Sequence, residues 1–449
     1  MNISRKDFLR KSSLGIVGLN LGAMLLENGT IDNSNIKFFE KSKMMKNIYV
    51  LKNALLETGF LYNDLGEIIE TKTDLFLITI SNGKISSIEK NQPNNTEALD
   101  MKGLLMLPSF KDMHIHLDKT YFGGPWKVKN RTTNGVKGMI EFEKEMLPKI
   151  AKETQFRANK IIDLLQRNGS SFTRSHINIE PTSKLDRLAE IQKVLENRKD
   201  NFEAELVAFP QHGVFYSDSV AYLKEAAMTD IDFIGGVDPY TLDGSIEKTI
   251  DFTVQLALDN NKGIDIHLHE MNKVGLETVQ YIIKKVNENP QLKGKAFLSH
   301  CFILAALDVK MQEQIAAELA EAQIGIISTV PFGRITMPIP TLYKHEVTVY
   351  SGNDSITDHW DSFGTGSMLQ KANLMAQLYG YSSEFDLSRC LKIATANVLP
   401  LDDLGEQLWP KKEDVANLVF VDASCSAEAV ARISPIKFLI HKGKIVEIN

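Results

Sequence analysis

The sequence predicts an α/β protein in which a (β/α)8 TIM barrel is joined to a small β-sandwich domain formed by the N- and C-terminal segments. Three observations predict this fold. Apolar strand-like runs alternate with amphipathic helical segments through the middle of the 449-residue chain, as in a parallel sheet covered by helices. Both ends of the chain instead carry short β-like runs separated by turns. Histidine and aspartate residues follow several central runs, where barrel proteins place functional side chains.

The composition is that of an ordinary globular protein. Hydrophobic residues make up 43% of the chain and charged residues 24%, which excludes a wholly disordered or fibrous protein. The formal net charge is −6 and no block of five like charges occurs, so the sequence indicates no nucleic-acid binding and no polybasic membrane contact. The predicted partner is a small molecule, and a homo-oligomer remains compatible with the sequence. Cys301, Cys390 and Cys425 are too far apart for a CxxC zinc motif or a disulfide framework.

Residues 1–46 are predicted to be a leader followed by a linker. Residues 1–11 carry a net charge of +3, and residues 12–26 contain no charged side chain. The segment SRKDFLR resembles the twin-arginine export motif, with Lys6 in place of the second arginine. The uncharged run is too short to span a membrane, so no stable membrane insertion is expected. Residues 1–26 therefore predict export to the periplasm, and the alternative is a cytoplasmic protein with an amphipathic N-terminus.

Residues 47–105 and 396–449 are predicted to form the β-sandwich domain together. Asn82 and Gly83 are a hairpin signal in the first segment, and Lys442 and Gly443 are a turn in the second. The β-like runs are 48–52, 75–81, 85–88, 104–107, 416–421 and 438–448.

Residues 106–395 are predicted to form the barrel, because eight strand and helix units over about 290 residues match the usual size of this fold. The predicted strands are 106–112, 171–177, 204–210, 232–237, 263–267, 296–300, 324–330 and 346–351. The clearest predicted helices are 182–197, 217–228, 245–260, 274–289 and 308–322. The seventh connection, 337–340, is predicted to be a proline-containing loop.

Five residues near the ends of predicted strands indicate a metal site. His114 and His116 follow the first run, and their i, i+2 spacing directs both imidazoles to the same side of a strand. His267 and His300 end the fifth and sixth runs, and Asp354 follows the eighth. Three or four imidazoles with one carboxylate suit a first-row transition metal and contain too much nitrogen for Mg²⁺ or Ca²⁺.

The alternative for any single histidine at a strand end is a hydrogen-bonded structural residue. Five such positions at the same ends of the strands favour the metal site. His176 is predicted to lie near this site without binding the metal. His345, His359 and His441 are predicted to have structural or solvent-facing roles.

Several segments resemble one known family. LPSFKDMHIHLDK at 107–119 resembles the first-strand motif of the amidohydrolase superfamily, and its HxHLDK end resembles cytosine deaminase and its relatives. The resemblance extends from about residue 47 to the end of the chain. The further matches follow in order: VAFPQ at 207–211, DIHLHE at 265–270, SH at 299–300, GND at 352–354 leading to Trp360, and the segment 364–370.

This resemblance implies one catalytic divalent metal ion, Zn²⁺ or Fe²⁺, held by four residues: His114, His116, His267 and Asp354. It also implies that Glu270 carries protons between the attacking water and the substrate, and that His300 orients this water. Asp354 would accept the remaining proton. Residues 232–240 contain no lysine that could bridge a second metal, which favours one ion over two.

Four side chains are predicted to bind a flat ring: Gln211, Phe209, Trp360 and Trp126. The glutamine amide can donate to and accept from an N–C=O edge, and the aromatic rings can pack against the substrate. The alternatives are a loop-capping role for the glutamine and core packing for the aromatic residues.

The predicted function is hydrolytic deamination of a nitrogen heterocycle, namely a cytosine-like pyrimidine, a triazine or a related ring. Water activated by the metal would attack the ring carbon, with release of ammonia. Ser355 stands where cytosine deaminases have a second aspartate, and His212 and His269 stand near positions that are acidic in those enzymes. These departures leave the substrate open.

Two alternatives come from different classes. The first is an amidohydrolase that cleaves an amide, a cyclic urea or an N-alkyl C–N bond. The second is a non-catalytic binding protein, which would be expected to lose Glu270 or His300, and both are present. The sequence lacks the GxSxG, Walker, GxGxxG, HExxH and PCxxC motifs of other catalytic classes.

Overall fold

The structure, a computed structural model, describes residues 48–128 and 135–448. The predicted leader and linker, residues 1–46, lie outside the described residues. The strands, in chain order, are β1 (Ile48–Tyr62), β2 (Ile68–Ser81), β3 (Lys84–Lys90), β4 (Leu99–Asp100), β5 (Leu105–Pro108), β6 (Phe110–Ile115), β7 (Ser170–Asn178), β8 (Glu203–Phe209), β9 (Phe233–Val237), β10 (Gly263–His267), β11 (Ala296–Ser299), β12 (Ile324–Ser328), β13 (Val349–Ser351), β14 (Leu418–Val421), β15 (Ile436–His441) and β16 (Lys444–Val446). The α-helices are α1 (Gly135–Ile150), α2 (Thr154–Arg167), α3 (Asp186–Arg198), α4 (Val220–Ala227), α5 (Pro239–Asp243), α6 (Ile246–Asp259), α7 (Lys273–Glu288), α8 (Ile303–Ala306), α9 (Val309–Glu321), α10 (Ile339–Lys344), α11 (Met368–Tyr379), α12 (Glu384–Cys390) and α13 (Ser426–Arg432).

The strands of the two terminal segments form one sheet. Its order is β16-β15-β14-β5-β1-β2-β3, and β4 pairs with β1. The antiparallel pairing of β5 with β14 joins the N-terminal segment to the C-terminal one. The long β1 strand contains register shifts, for example between Leu51 and Ala54, which bend its pairing with β2. The sheet has its own apolar core, which includes Leu56, Ile78 and Phe420.

The strands β6 to β13 form a second, parallel sheet in sequence order. A parallel bridge between Ile115 and Asp354 connects its two edges, so the sheet closes into a barrel. Helices follow the strands and pack their buried faces against the same large apolar core. The predicted (β/α)8 TIM barrel with a strand-rich sheet from both chain ends is therefore confirmed.

The prediction of residues 106–112 as a single strand is wrong. Leu105–Pro108 form β5 of the terminal sheet, and Phe110–Ile115 form β6, the first barrel strand. Ser109 lies between them and donates its backbone N–H to Asn417. Nearly all of these residues are buried, so the sequence shows one apolar run without the alternation that would mark a change of sheet.

The seventh connection also differs from the prediction of a loop at residues 337–340. Ile339–Lys344 form helix α10. Pro338 and Pro340 lie at the start of this helix, where proline is tolerated because the first N–H groups have no partner within the helix. Prolines here therefore mark the start of a helix rather than its absence.

Within residues 48–128 and 135–448, no helix is both long and apolar enough to cross a membrane.

Candidate active site

The residues predicted to bind metal lie at the carboxyl ends of the barrel strands. His114 lies in β6 and His116 directly follows it, and His267 is the last residue of β10. His300 comes directly after β11, and Asp354 lies shortly after β13. The four histidines are buried. Because parallel strands end on the same side of a barrel, these side chains converge at its mouth.

The Asp354 carboxylate reaches three of the histidines. Its Oδ1 lies 3.4 Å from His114 Nε2 and 3.2 Å from His116 Nε2. Its Oδ2 lies 3.8 Å from His300 Nε2. The Asp354 backbone has a φ of +64°, which is uncommon for a residue other than glycine and is found where the surrounding structure enforces it.

Two groups of described side chains are spaced to hold a metal ion, and they share His114. One group is His114, His116 and Asp354, and the other is His114, His176 and His267, with the ligand atoms of each group within 4.8 Å of one another. Among the described residues, His114 Nε2 and both ring nitrogens of His267 are buried without a hydrogen-bond partner. Such unpaired nitrogens are costly, and a bound cation would satisfy them. The donor set therefore fits a divalent transition metal.

Hydrogen bonds leave the Nε2 atoms of His114 and His116 free to bind a metal. Ser299 donates its hydroxyl proton to Asp265 Oδ1 over 2.6 Å, so its oxygen accepts from His114 Nδ1 at 3.0 Å. His116 Nδ1 donates to the backbone carbonyl of His176 over 3.2 Å. Both rings thus carry their proton on Nδ1 and keep a lone pair on Nε2. Outer hydrogen bonds of this kind orient metal-binding histidines.

The electrostatic surroundings favour the protonation states that metal binding requires. Burial, reinforced by the Lys119 ammonium, lowers the pKa of His116 to about 4. Burial and the neighbouring imidazoles hold the pKa of His267 well below its usual value. Burial alone would raise the pKa of Asp354, but the polar contacts with the His114 and His116 imidazoles outweigh it and hold this pKa well below the usual range. Neutral imidazoles and an ionised carboxylate are the forms that bind a divalent cation.

Glu270 lies just beyond His267 with one carboxylate oxygen fixed and the other free. Its Oε1 accepts hydrogen bonds from the backbone N and the Oγ1 of Thr241, at 2.8 and 2.7 Å. Its Oε2 is buried and has no hydrogen-bond partner among the described residues. Burial raises the pKa of Glu270. A carboxyl group held in this way can take up and release a proton at Oε2.

Three of the four predicted ring-binding residues lie on one side of the site and share Lys119 as a neighbour. Phe209 is fully buried and stacks on His267, with ring centroids 4.1 Å apart and an interplanar angle of 26°. Gln211 Oε1 accepts a hydrogen bond from Lys119 Nζ over 2.5 Å. The same Nζ lies 5.8 Å from the ring centre of Phe209 and 5.6 Å from that of Trp360. These three residues and Lys119 form what we call the ring-binding face.

The fourth predicted residue, Trp126, lies away from the ring-binding face. Two residues of this region, Lys119 and Glu143, are not among the predicted site residues. Trp126 is 69% exposed, and no contact in the described part of the chain joins it to the ring-binding face. Lys119 stands in the HxHLDK motif, and its place three residues after His116 is the sequence signal that points to this region. Glu143 lies on α1, a helix that the sequence analysis did not predict, and accepts a hydrogen bond from Trp360.

The chain is similar to known proteins both in sequence and in fold. Residues 176–446 match the model of a family described as the amidohydrolase family. The "Uncharacterized protein YahJ" of Escherichia coli (strain K12) is 44% identical over 99% of this chain and 98% of that protein. The N-isopropylammelide isopropyl amidohydrolase of Pseudomonas sp. (strain ADP) is 24% identical over 84% of this chain and 95% of that protein.

Two solved structures are similar in fold. The N-isopropylammelide isopropylaminohydrolase of Burkholderia multivorans has a TM-score of 0.76 and 24% identity, over 89% of this chain and 98% of that chain. The 5-methylcytosine deaminase of Klebsiella pneumoniae has a TM-score of 0.74 and 23% identity, over the same shares of the two chains. At these identities the two structures are evidence for the fold.

Proposed function

The chain belongs to the amidohydrolase family, and we propose that it is a metal-dependent hydrolase that removes an exocyclic amine from a nitrogen heterocycle as ammonia. The substrate class is a cytosine-like pyrimidine, a triazine or a related ring. The observation that carries this proposal is the convergence of His114, His116 and Asp354 on a barrel mouth where Glu270 keeps one carboxylate oxygen free. Relatives with names that denote hydrolysis or deamination of ring compounds support it.

The site is suited to one Zn²⁺ or Fe²⁺ ion, held by four residues: His114, His116, His267 and Asp354. His176 lies within the same cluster, but its distance of 3.9 Å from Asp265 Oδ2 favours a role in supporting the ligands. When bound, the ion lowers the pKa of a coordinated water to about 7 and so supplies a nucleophile at neutral pH.

The chain's own residues hold and move the protons. Glu270 takes a proton from the attacking water at Oε2 and delivers it to the ring nitrogen beside the reacting carbon, while Thr241 fixes Oε1. His300, whose Nε2 lies 3.8 Å from Asp354 Oδ2, orients this water. Asp354 accepts the second water proton, which leaves with the departing amine as ammonia. The ring carbon gains an oxygen and loses the amine.

The ring-binding face determines how the substrate lies. Phe209 and Trp360 provide flat apolar surfaces near the Lys119 ammonium. The Gln211 carbonyl oxygen is already engaged by Lys119, so the free group of Gln211 is its NH₂ donor. We therefore expect this side of the substrate to carry a hydrogen-bond acceptor.

A second candidate function is cleavage of an amide, a cyclic urea or an N-alkyl C–N bond. The observation that favours it is His269, whose Nδ1 is hydrogen-bonded to Asp238 Oδ2 at 2.8 Å and whose ring lies 4.6 Å from that of His300. His269 stands near a position that is acidic in cytosine deaminases, and Ser355 stands where those enzymes have a second aspartate. Both differences reduce the negative charge beside the leaving group. The relative named as an N-isopropylammelide isopropyl amidohydrolase also supports this candidate.

A substrate screen on the metal-loaded protein tests both candidates. Pyrimidines, triazines, pterins and cyclic ureas are incubated with the protein, and ammonia and organic amines are measured separately. Ammonia release supports the proposal, whereas release of an alkylamine alone supports the second candidate. Activity that persists undiminished in metal-loaded Glu270→Gln would contradict the role of Glu270 as proton carrier, and no activity on any ring would contradict both candidates.

A further inference from the structure

A buried carboxylate lies behind the ring-binding face. Glu143 is on the inner side of α1 and is 0% exposed, and the other buried residues of this helix are apolar: Met139, Ile140, Leu147 and Ile150. A buried charge contributes little to stability. Its transfer from water into the protein costs free energy, and the interactions with its partners do no more than compensate for this cost. Its presence on an otherwise apolar helix face therefore points to a role other than packing.

Four polar side chains surround Glu143 closely. Asn178 Nδ2 donates to its Oε1 over 2.6 Å, and Trp360 Nε1 donates to its Oε2 over 2.8 Å. Lys119 Nζ lies 3.7 Å from Oε1, and His359 Nε2 lies 3.3 Å from Oε2. Glu143 thus contacts two members of the ring-binding face directly.

The charge of Glu143 is maintained by these neighbours. Burial alone would raise the pKa of Glu143, but Lys119 and His359 outweigh it and hold this pKa well below the usual range. His212, 3.9 Å from Oε2, has a pKa that burial lowers to about 4, so at neutral pH it adds no positive charge. The Lys119 ammonium, which is 1% exposed, is the principal counterion of Glu143.

Packing places the whole assembly against the substrate side of the site. Ile140, one turn before Glu143 on α1, belongs to the same apolar cluster as Phe209, and Trp360 packs against this cluster. Phe209 in turn stacks on His267. A continuous set of contacts therefore joins α1 to the metal site through the ring-binding face.

We propose that Glu143 is a positioning residue for substrate binding: it holds the Lys119 ammonium and the Trp360 indole so that the ring-binding face presents hydrogen-bond donors and selects rings that carry carbonyl oxygens. The inference deepens the proposed function and rests on it for the identity of the site. With its oxygen on Lys119, Gln211 offers a donor, and Lys119 has only donors, so exocyclic carbonyl oxygens are complementary to this face, whereas exocyclic amino groups, which donate, are not.

A binding experiment tests the inference without requiring turnover. Cyanuric acid and melamine are flat triazines of similar size, which carry carbonyl oxygens and amines, respectively. Their dissociation constants are measured by isothermal titration calorimetry with Zn²⁺-loaded protein. We expect cyanuric acid to bind the unaltered protein about tenfold more tightly or better, and Glu143→Gln to lose about that factor, as expected when a charged hydrogen-bonding partner is removed.

Glu145→Gln is the matched control, because Glu145 is an exposed glutamate on the same helix. This variant should keep both dissociation constants within about twofold of the unaltered protein. Unfolding temperature and zinc content of each variant show whether the fold and the metal site are intact. Equal binding of the two triazines, no binding of cyanuric acid, or unchanged binding in Glu143→Gln would each overturn the inference.

A double variant separates positioning from a general effect on the helix. If Glu143 acts through Lys119, Lys119→Met/Glu143→Gln should lose less cyanuric acid affinity than the product of the two single losses. This variant replaces a buried ion pair with neutral side chains, which proteins usually tolerate. If Glu143→Gln alone is unstable, the double variant is compared with Lys119→Met, and it should lose no more affinity for cyanuric acid than that single variant. Losses that multiply would overturn the inference. Intact discrimination between the triazines with no hydrolysis of any ring would instead contradict the proposed function alone.

Discussion

Asp354 and His114 are joined twice, once through the backbone and once through the side chains. The Asp354 N–H donates to the His114 carbonyl over 2.7 Å across the edges where the barrel closes, and Asp354 Oδ1 lies 3.4 Å from His114 Nε2. His116 donates its own N–H back to the Asp354 carbonyl over 3.3 Å. Closing the barrel therefore also assembles three of the proposed metal ligands.

The first prediction is that the metal stabilises the seam of the barrel, by which we mean the contacts of His114 and His116 with Asp354. Binding of Zn²⁺ to Asp354 and His114 should slow exchange of the Asp354 amide proton by about tenfold or more, because opening the seam would then also require release of the ion. Hydrogen exchange with and without Zn²⁺ measures this, and amides between β14 and β15 are the internal control. Equal exchange of the Asp354 amide in a protein that has bound Zn²⁺ would contradict the coupling.

The second prediction concerns the ligand set. We expect about one metal ion per chain, and almost none in the double variant His114→Ala/His116→Ala, because it removes two of four ligands. His176→Asn should retain the ion at saturating metal with affinity about 10- to 100-fold weaker, as expected for a supporting residue. Elemental analysis and metal titration measure both quantities. Two ions per chain, or complete loss of metal in His176→Asn, would show that the ligand set is wrong.

The part of this site that the sequence predicts depends on strand geometry. His114 and His116 are two residues apart, so alternation along a strand gives their common side without any tertiary information. His267, His300 and Asp354 follow buried apolar runs, and parallel strands bring such positions together. Local patterns thus predicted which side chains meet at the barrel mouth.

Other features depend on tertiary contacts that no local pattern contains. β5 and β6 are both buried, so the change of sheet at Ser109 leaves no signal in hydrophobicity. Charged residues on helices usually face solvent, and the inward direction of Glu143 follows only from its partners Lys119 and Trp360. Aromatic chemistry alone suggested Trp126 for the ring-binding face, whereas its position at the surface is a tertiary property.

The third prediction concerns pH and stability. Burial is the largest cause that raises the pKa of Glu180 to about 8, with Glu143 and Asp118 adding to it and Lys119 opposing it. A carboxyl group with a raised pKa binds its proton more tightly in the folded state, so its contribution to stability is full at low pH and is lost as the pH rises through 8. Between the ordinary pKa of 4.5 and the raised pKa of about 8, the free energy of unfolding should fall by up to about 1.4 kcal/mol per pH unit because of this group, and above pH 8 the fall should level off.

Glu180→Gln should remove this fall, because a glutamine keeps the neutral form at every pH. Urea unfolding of the unaltered protein and of the variant between about pH 5 and pH 9 gives the two slopes. Glu145→Gln, which changes an exposed carboxylate, should keep the slope of the unaltered protein. Identical slopes for Glu180→Gln and the unaltered protein would mean that Glu180 is not the titrating group.

The fourth prediction is that Glu270→Gln binds metal and substrate but loses most of its turnover. The amide keeps the size of the side chain and can accept at Oε1 from Thr241, but it cannot take up and release a proton at the second position. General acid-base catalysis contributes about 10² to 10⁴ in rate, and a group that both accepts a proton and delivers it should lie at the upper end. We therefore expect kcat to fall by about 10⁴, with KM and metal content little changed.

Thr241→Val separates the proton transfer from its geometry. It removes the 2.7 Å hydrogen bond from Oγ1 but keeps the backbone donor, so Glu270 can still move protons from a less fixed position, and kcat should fall by about tenfold. If Glu270 instead only orients the neighbouring histidines, Glu270→Gln should weaken metal affinity and excess metal should restore turnover. Steady-state rates measured with increasing Zn²⁺ distinguish these outcomes, because a lost proton carrier is not replaced by more metal.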